Sequence, residues 1–167
     1  DVLTRFISSG TLEPKETVPT VAPSMDIQIP SSLERLIYDL EGDASSFYSQ
    51  LQNEKLATLN DDATKKLQSI FSSKSFDDEM ILKEIKKFYE NYEWIVDPHT
   101  ATVVSESVSF SSNLPVVGIA TASPEKFSNV ISSVISSFSI KNMENIEKYI
   151  VSEPDSLVVE NTIKEYF

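Results

Sequence analysis

Leu114-Pro115-Val116-Val117-Gly118-Ile119-Ala120-Thr121-Ala122-Ser123-Pro124-Glu125-Lys126-Phe127 is the stretch on which the fold turns. Leu114 to Ala120 is a continuous apolar run, the pattern of a strand covered on both faces, as parallel strands are when helices pack on each side of their sheet. Ser123 then stands at a helix N-cap with Pro124 in the first helical position, where a missing N–H costs nothing. Phe127, Val130, Ile131, Val134, Ile135 and Phe138 follow at helical spacing and make one apolar face. The spacing therefore predicts a buried parallel strand over 114–121 followed by a helix, an α/β unit inside a C-terminal part spanning 94–167.

Downstream, two shorter helices are expected, one behind Asn142 (Met143, Ile146, Ile150) and one behind Asp155 (Val159, Ile163, Tyr166). Upstream, Trp94 to Ala101 mixes aromatic, apolar and polar residues without helical period, while Ala101, Val104 and Val108 suit a helix. Residues 31–93 read as a helical block. Ser31-Ser32-Leu33-Glu34 has capping-box spacing before Leu36, Ile37 and Leu40, so a helix is expected from about Ser32 to Glu41, ahead of Gly42. Ala44, Phe47, Tyr48 and Leu51 repeat the pattern behind Asp43, Ala63, Leu67, Ile70 and Phe71 behind Asp61, and Ile81, Ile85, Phe88 and Tyr92 behind Ser75. Residues 1–30 carry Pro14, Pro19, Pro23 and Pro30 and read as an extended strand and loop segment. One strand is too few for an α/β sheet, so the chain reads as part of a larger protein.

Composition narrows the chemistry. The 167 residues carry a net charge of −12, which argues against a nucleic-acid groove. No apolar run approaches the ~20 residues needed to cross a bilayer, so no membrane association is expected. The absence of cysteine removes disulfides and thiolate chemistry and suits a reducing, cytoplasmic setting. Three widely separated glycines, Gly10, Gly42 and Gly118, rule out a glycine-rich phosphate cradle. The single histidine, His99, rules out a multi-histidine metal site, and no metal is expected.

Within these bounds a few residues stand out. His99, between Asp97 and Thr100, invites a catalytic reading, yet no exposed nucleophile accompanies it, and by itself it reads as a His satisfied by backbone at a helix start. Thr121 ends the expected strand at the edge where open α/β sheets bind ligands, though such a residue is ordinarily a helix entry. Ser24 and Asp26 in Pro23-Ser24-Met25-Asp26-Ile27 read locally as turn chemistry. Arg5 and Arg35 are the two arginines, the residue type that takes a phosphate or carboxylate with two parallel bonds, and Arg35 reads equally as a solvated helix residue. Lys83, Lys86 and Lys87 alternate with Glu84 and Glu90 as a solvated face.

In order along the chain, Val2-Leu3-Thr4-Arg5-Phe6 with Gly10, then Pro23-Ser24-Met25-Asp26-Ile27 leading to Leu33-Glu34-Arg35-Leu36, then Asp97-Pro98-His99-Thr100-Ala101, and last Ala120-Thr121-Ala122-Ser123-Pro124-Glu125-Lys126-Phe127 resemble the C-terminal part of threonine synthase. Ser32 and Ser123 depart from the family pattern, which has Asn and His there. The resemblance implies the C-terminal portion of a fold-type II, tryptophan synthase beta-like pyridoxal-phosphate enzyme, α/β in class, helix-rich with few strands. It implies conversion of O-phosphohomoserine and water to threonine and phosphate by the full-length protein. The family's Schiff-base lysine and phosphate loop match no stretch here, so no catalytic residue is assigned in this chain, and the chain alone is expected to be inactive. By the same resemblance Thr121 places a hydroxyl on the pyridine nitrogen of pyridoxal phosphate, and Ser24, Asp26, Arg35, His99 and Thr100 are candidates for the substrate side. Ser24, His99 and Thr121 are thus expected around one cleft. Two other readings stay open: a threonine-synthase-like phospholyase that yields a 2-keto acid, and a non-catalytic helical interaction domain.

Overall fold

The computed structural model describes residues 1–138. The chain opens on helix α1 (Val2–Ser9), where the sequence predicts an extended segment. Val2 and Phe6 lie one turn apart and both are buried, and the first proline comes only at Pro14, so nothing prevents a helix there. Gly10 ends α1 with φ 73°, and its N–H donates to the Phe6 carbonyl at 2.7 Å. This left-handed stop suits glycine, and a Cβ would also run into the Thr64 side chain. Strand β1 (Thr11–Leu12) follows and pairs antiparallel with β2 (Ala57–Thr58), in the register Thr11 to Thr58 and Leu12 to Ala57.

Between the strands lie a 3₁₀ turn (Pro23–Met25) and helices α2 (Leu33–Glu41) and α3 (Ser45–Glu54). After β2 come α4 (Asp61–Ile70), α5 (Asp78–Tyr92) and α6 (Pro98–Ser109). The helix periods read from the sequence match these elements, and the caps differ by a residue or two. Ser32 occupies the α2 N-cap without a side-chain bond, so the expected capping box does not form. Asn60, not Asp61, caps α4 by accepting from the Asp62 and Ala63 amides, and Asp77, not Ser75, caps α5 through the Met80 amide. In each case the residue with extended backbone just outside the first turn has the oxygen in reach of the free N–H groups.

Two apolar cores result. Val2, Phe6, Leu12, Leu33, Ile37, Phe47, Leu51, Leu59 and Leu67 join α1, the strand pair and α2 to α4. Ala22, Ile81, Ile85, Val96, Ala101, Ile131 and Ile135 join α5, α6 and the segments around them. Each fully covered large side chain contributes about 1.5–3 kcal/mol relative to exposure. Polar contacts tie the halves together: Ser75 Oγ to Thr4 Oγ1 at 3.0 Å, and Lys74 Nζ to Glu106 Oε1 at 2.7 Å.

The expected buried strand over 114–121 is not formed. Its residues form no regular element and are exposed, with Leu114 at 75%, Val117 at 77% and Ile119 at 63%. The physical reason is the lack of a backbone partner: the strands among the described residues are β1 and β2 alone, and a segment without a neighbour has no ladder to join. One side of the segment rests on α6, where a Cβ on Gly118 would meet Val103 Cγ1 at 3.0 Å and Ser107 Oγ at 3.2 Å. The expected helix after Ser123 begins as a 3₁₀ turn (Pro124–Phe127) and continues as α7 (Ser128–Val134). The helices expected behind Asn142 and Asp155 lie outside the described residues. No helix among the described residues is long and apolar enough to cross a membrane.

Candidate functional site

Asp97 organises the start of α6. Its backbone is extended, Pro98 follows in the first helical position, and its carboxylate accepts from the His99 amide at 2.9 Å. The same Oδ1 accepts from His99 Nδ1 at 2.9 Å, and Oδ2 accepts from the Thr100 hydroxyl. Asp97 is fully buried, so these three donors stand in for the water it has lost. His99 and Thr100 are buried with it, at 7% and 6% exposure.

The other ring nitrogen of His99 faces a different part of the chain. The Ser24 N–H donates to His99 Nε2 at 3.2 Å. An N–H can meet only a lone pair there, so the ring is the neutral tautomer with its proton on Nδ1 and aimed at Asp97. Phe127 packs against the imidazole with ring centroids 4.9 Å apart, which adds the 3₁₀ turn of Pro124–Phe127 to the assembly. Three segments distant in sequence thus meet at one buried imidazole.

The 20–26 segment is itself braced. Asp26 accepts from the Thr20 amide and the Thr20 hydroxyl, both at 2.8 Å, and the Val21 amide donates to Asp78 Oδ1 at 3.0 Å. Beside it a cavity of about 240 Å³ lies between Thr20, Val21 and Pro23 on one side and Lys126, Phe127 and Asn129 on the other. A larger cavity of about 550 Å³ sits near the first core, lined by Pro14, Ile29, Tyr48, Leu51, Gln52 and Lys55. The Tyr48 hydroxyl is buried with no partner among the described residues, and burial, with the Glu34 charge adding to it, pushes its phenol above the usual range.

Of the residues singled out from sequence, the structure brings together Ser24, Asp26, His99 and Thr100. Arg35 stands apart, exposed on α2. Thr121 is exposed at the end of the 114–120 run and terminates no strand. Thr20, Asp78 and Phe127 had carried no site reading. Thr20 and Asp26 bracket the Pro23 turn at a spacing typical of side-chain to backbone turns, a signal that was available, while Asp78 and Phe127 are joined to the site only by folding.

No family model matches the chain. Individual proteins do. A threonine synthase of Pseudomonas aeruginosa is 30% identical over 137 residues, which is 78% of this chain and 29% of that protein. A protein of Xenopus laevis named threonine synthase-like 2 is 29% identical over 138 residues, again 78% of this chain and 29% of the relative. In structure, the chain superposes on the pyridoxal-phosphate-bound threonine synthase of Brucella melitensis with a TM-score of 0.80 at 26% identity, covering 99% of this chain and 38% of that one. The chain therefore spans about three-tenths to two-fifths of the length of the proteins it matches. It is similar to the C-terminal part of these threonine synthases and shares their fold.

Proposed function

We propose that this chain forms the C-terminal part of a threonine synthase that converts O-phosphohomoserine and water to threonine and phosphate, with pyridoxal phosphate as cofactor. The observation that carries the reading is the superposition over 99% of the chain on a threonine synthase whose structure holds that cofactor. When bound, pyridoxal phosphate supplies an electron sink for the bonds broken along the substrate's carbon chain. By this reading Thr121, which is exposed, would hold the ring end: a hydroxyl donating to the pyridine nitrogen would orient the ring without the anion that favours a charged ring. Three dispersed glycines offer no cradle for the phosphate end, so by this reading that end is held elsewhere in the enzyme, and the chain alone is inactive.

The exposed apolar side chains of the 114–120 run support the same reading. Leu114, Val117 and Ile119 are too apolar to be at rest in water, and we assign them to the sheet of the complete enzyme, with Thr121 at the strand's end. On the substrate side, Ser24 and Asp26 shape the turn with His99 and Thr100 behind them, while Arg35, exposed on α2 and outside this cluster, is a separate candidate for the phosphate. The cysteine-free composition suits the cytoplasm as its compartment.

A second reading is a threonine-synthase-like phospholyase that releases phosphate and a 2-keto acid from the same class of substrate; one relative is named threonine synthase-like 2. Product analysis separates them. The complete enzyme, given O-phosphohomoserine, is expected to release phosphate and threonine in equal amounts. Phosphate with a 2-keto acid supports the phospholyase instead, and no phosphate at all supports a non-catalytic interaction domain.

A further inference from the structure

We propose that His99 is a positioning residue that works as a proton-sensitive latch: as a neutral imidazole it clamps the Pro23–Met25 turn to the start of α6, and on taking a second proton it releases the Ser24 amide of that turn. The proposal deepens the threonine synthase reading, since Ser24 and Asp26 lie on the substrate side only if that reading holds.

Both ring nitrogens are committed. Nδ1 donates to Asp97 and Nε2 accepts from the Ser24 amide, so no lone pair is left to act on a substrate. This excludes an acid–base role in the clamped state and leaves a holding role. The two bonds respond oppositely to a proton. An imidazolium strengthens the bond to the Asp97 carboxylate, which becomes charge-assisted. It destroys the other, because an Nε2–H then points at the Ser24 N–H and two donors oppose each other. The ring therefore stays and the Ser24 amide loses its tie to it, while the bonds of Asp26 and Asp78 still brace the rest of the segment.

The charged groups on the surrounding elements fit this division. Asp97, on the same helix as the ring, is fully buried and bonded to it. Asp26, at the end of the turn, is occupied by Thr20, and Asp78, at the start of α5, is occupied by the Val21 amide. Glu125 and Lys126 immediately precede Phe127 and are exposed. Asp97 is thus the charged side chain bonded to the ring among the described residues, and the position of His99 in the first turn of a 12-residue helix places positive partial charge beside it. Ser24 itself is exposed, so the Nε2 bond is a principal tie holding its amide.

In the ¹⁵N-histidine-labelled complete protein the ring signals of His99 are identified as those lost in His99→Gln. The experiment records those signals and the hydrogen-exchange protection of the Ser24 amide from about pH 8 to about pH 5, the range in which imidazoles titrate. The expected result is an unprotonated Nε2 at high pH, and a Ser24 protection factor that falls about three- to tenfold as the ring titrates, the loss of one ordinary hydrogen bond. The Leu59 amide, bonded to the Gly10 carbonyl in the other core, stays unchanged. In His99→Gln, whose Oε1 accepts at every pH, Ser24 protection stays level across the range. A proton on Nε2 at high pH, a Ser24 amide indifferent to the ring's titration, or an equal fall in His99→Gln would overturn the latch. Phosphate release by the complete enzyme is a separate readout, whose absence would overturn the threonine synthase reading and leave the latch standing.

Discussion

The Ser24 amide and His99 Nε2 meet at 3.2 Å across 75 positions of sequence, and this bond joins the proline-rich loop to the start of α6. Its geometry depends on Asp97, which fixes the ring from the other side through Nδ1 at 2.9 Å.

Replacing Asp97 by Ala is therefore expected to be among the more damaging single changes in this half of the chain. It removes an N-cap, typically worth about 1 kcal/mol, and leaves buried donors of His99 and Thr100 unpaired at a further ~1–3 kcal/mol. Urea unfolding should show a loss of about 2–4 kcal/mol, with Asp97→Asn losing less because one acceptor oxygen remains. A midpoint unchanged in the Ala variant would show that the cluster carries no stability.

Thr121→Val in the complete enzyme tests the assignment of the cofactor ring. The substitution keeps the β-branched shape and removes one hydroxyl, so folding should survive. A lost hydrogen bond of about 1 kcal/mol, with ~1–3 kcal/mol more if the ring nitrogen is left unpaired, predicts a kcat lower by roughly tenfold to a few hundredfold. Thr121→Ser should retain most of the activity. Phosphate release measured on both variants decides, and wild-type turnover in Thr121→Val would reduce Thr121 to a helix entry.

Tyr48→Phe is expected to run against the usual direction of single substitutions. The Tyr48 hydroxyl is buried without a partner among the described residues, and its removal deletes an unmet polar group while leaving the ring against Phe47. Thermal unfolding should give a neutral or higher midpoint, by up to about 1 kcal/mol in stability. A clear destabilisation would mean that the hydroxyl has a partner in solution.

Asp43 sets a small acid dependence. Its Oδ1 accepts from the Ser45 amide at 2.9 Å, and bonds from the Ser45 backbone and hydroxyl hold its carboxyl below the usual range. A carboxyl lowered in the folded state contributes stability that is full above its unfolded value of about 3.9 and is lost as pH falls through the lower folded value. Stability of the native chain should thus decline more on acidification than that of Asp43→Asn, and parallel curves for the two proteins would remove the effect. The group is fully exposed, so the difference should also shrink with added salt.

Much of the helical architecture was legible in the sequence, because a helix satisfies its backbone within itself and writes its buried face at a period of 3.6 residues. Leu33 and Ile37, Phe47 and Leu51, Ala63 and Leu67, and Ile81 and Ile85 are spaced this way, and all are buried as that period predicts. The ordered motifs also carried the resemblance to the threonine synthases. What only the tertiary structure decided are the features that need a distant partner. Val2 and Phe6 became a helix where prolines downstream suggested an extended chain, because the first core receives that face. Leu114 to Ala120 has the composition of a buried strand and lies exposed, because a strand's hydrogen bonds are made with a neighbour and these residues have none among the described ones. His99 read as a helix-start residue, and its tautomer was decided by Ser24, since which nitrogen keeps its proton depends on what the fold brings to the other.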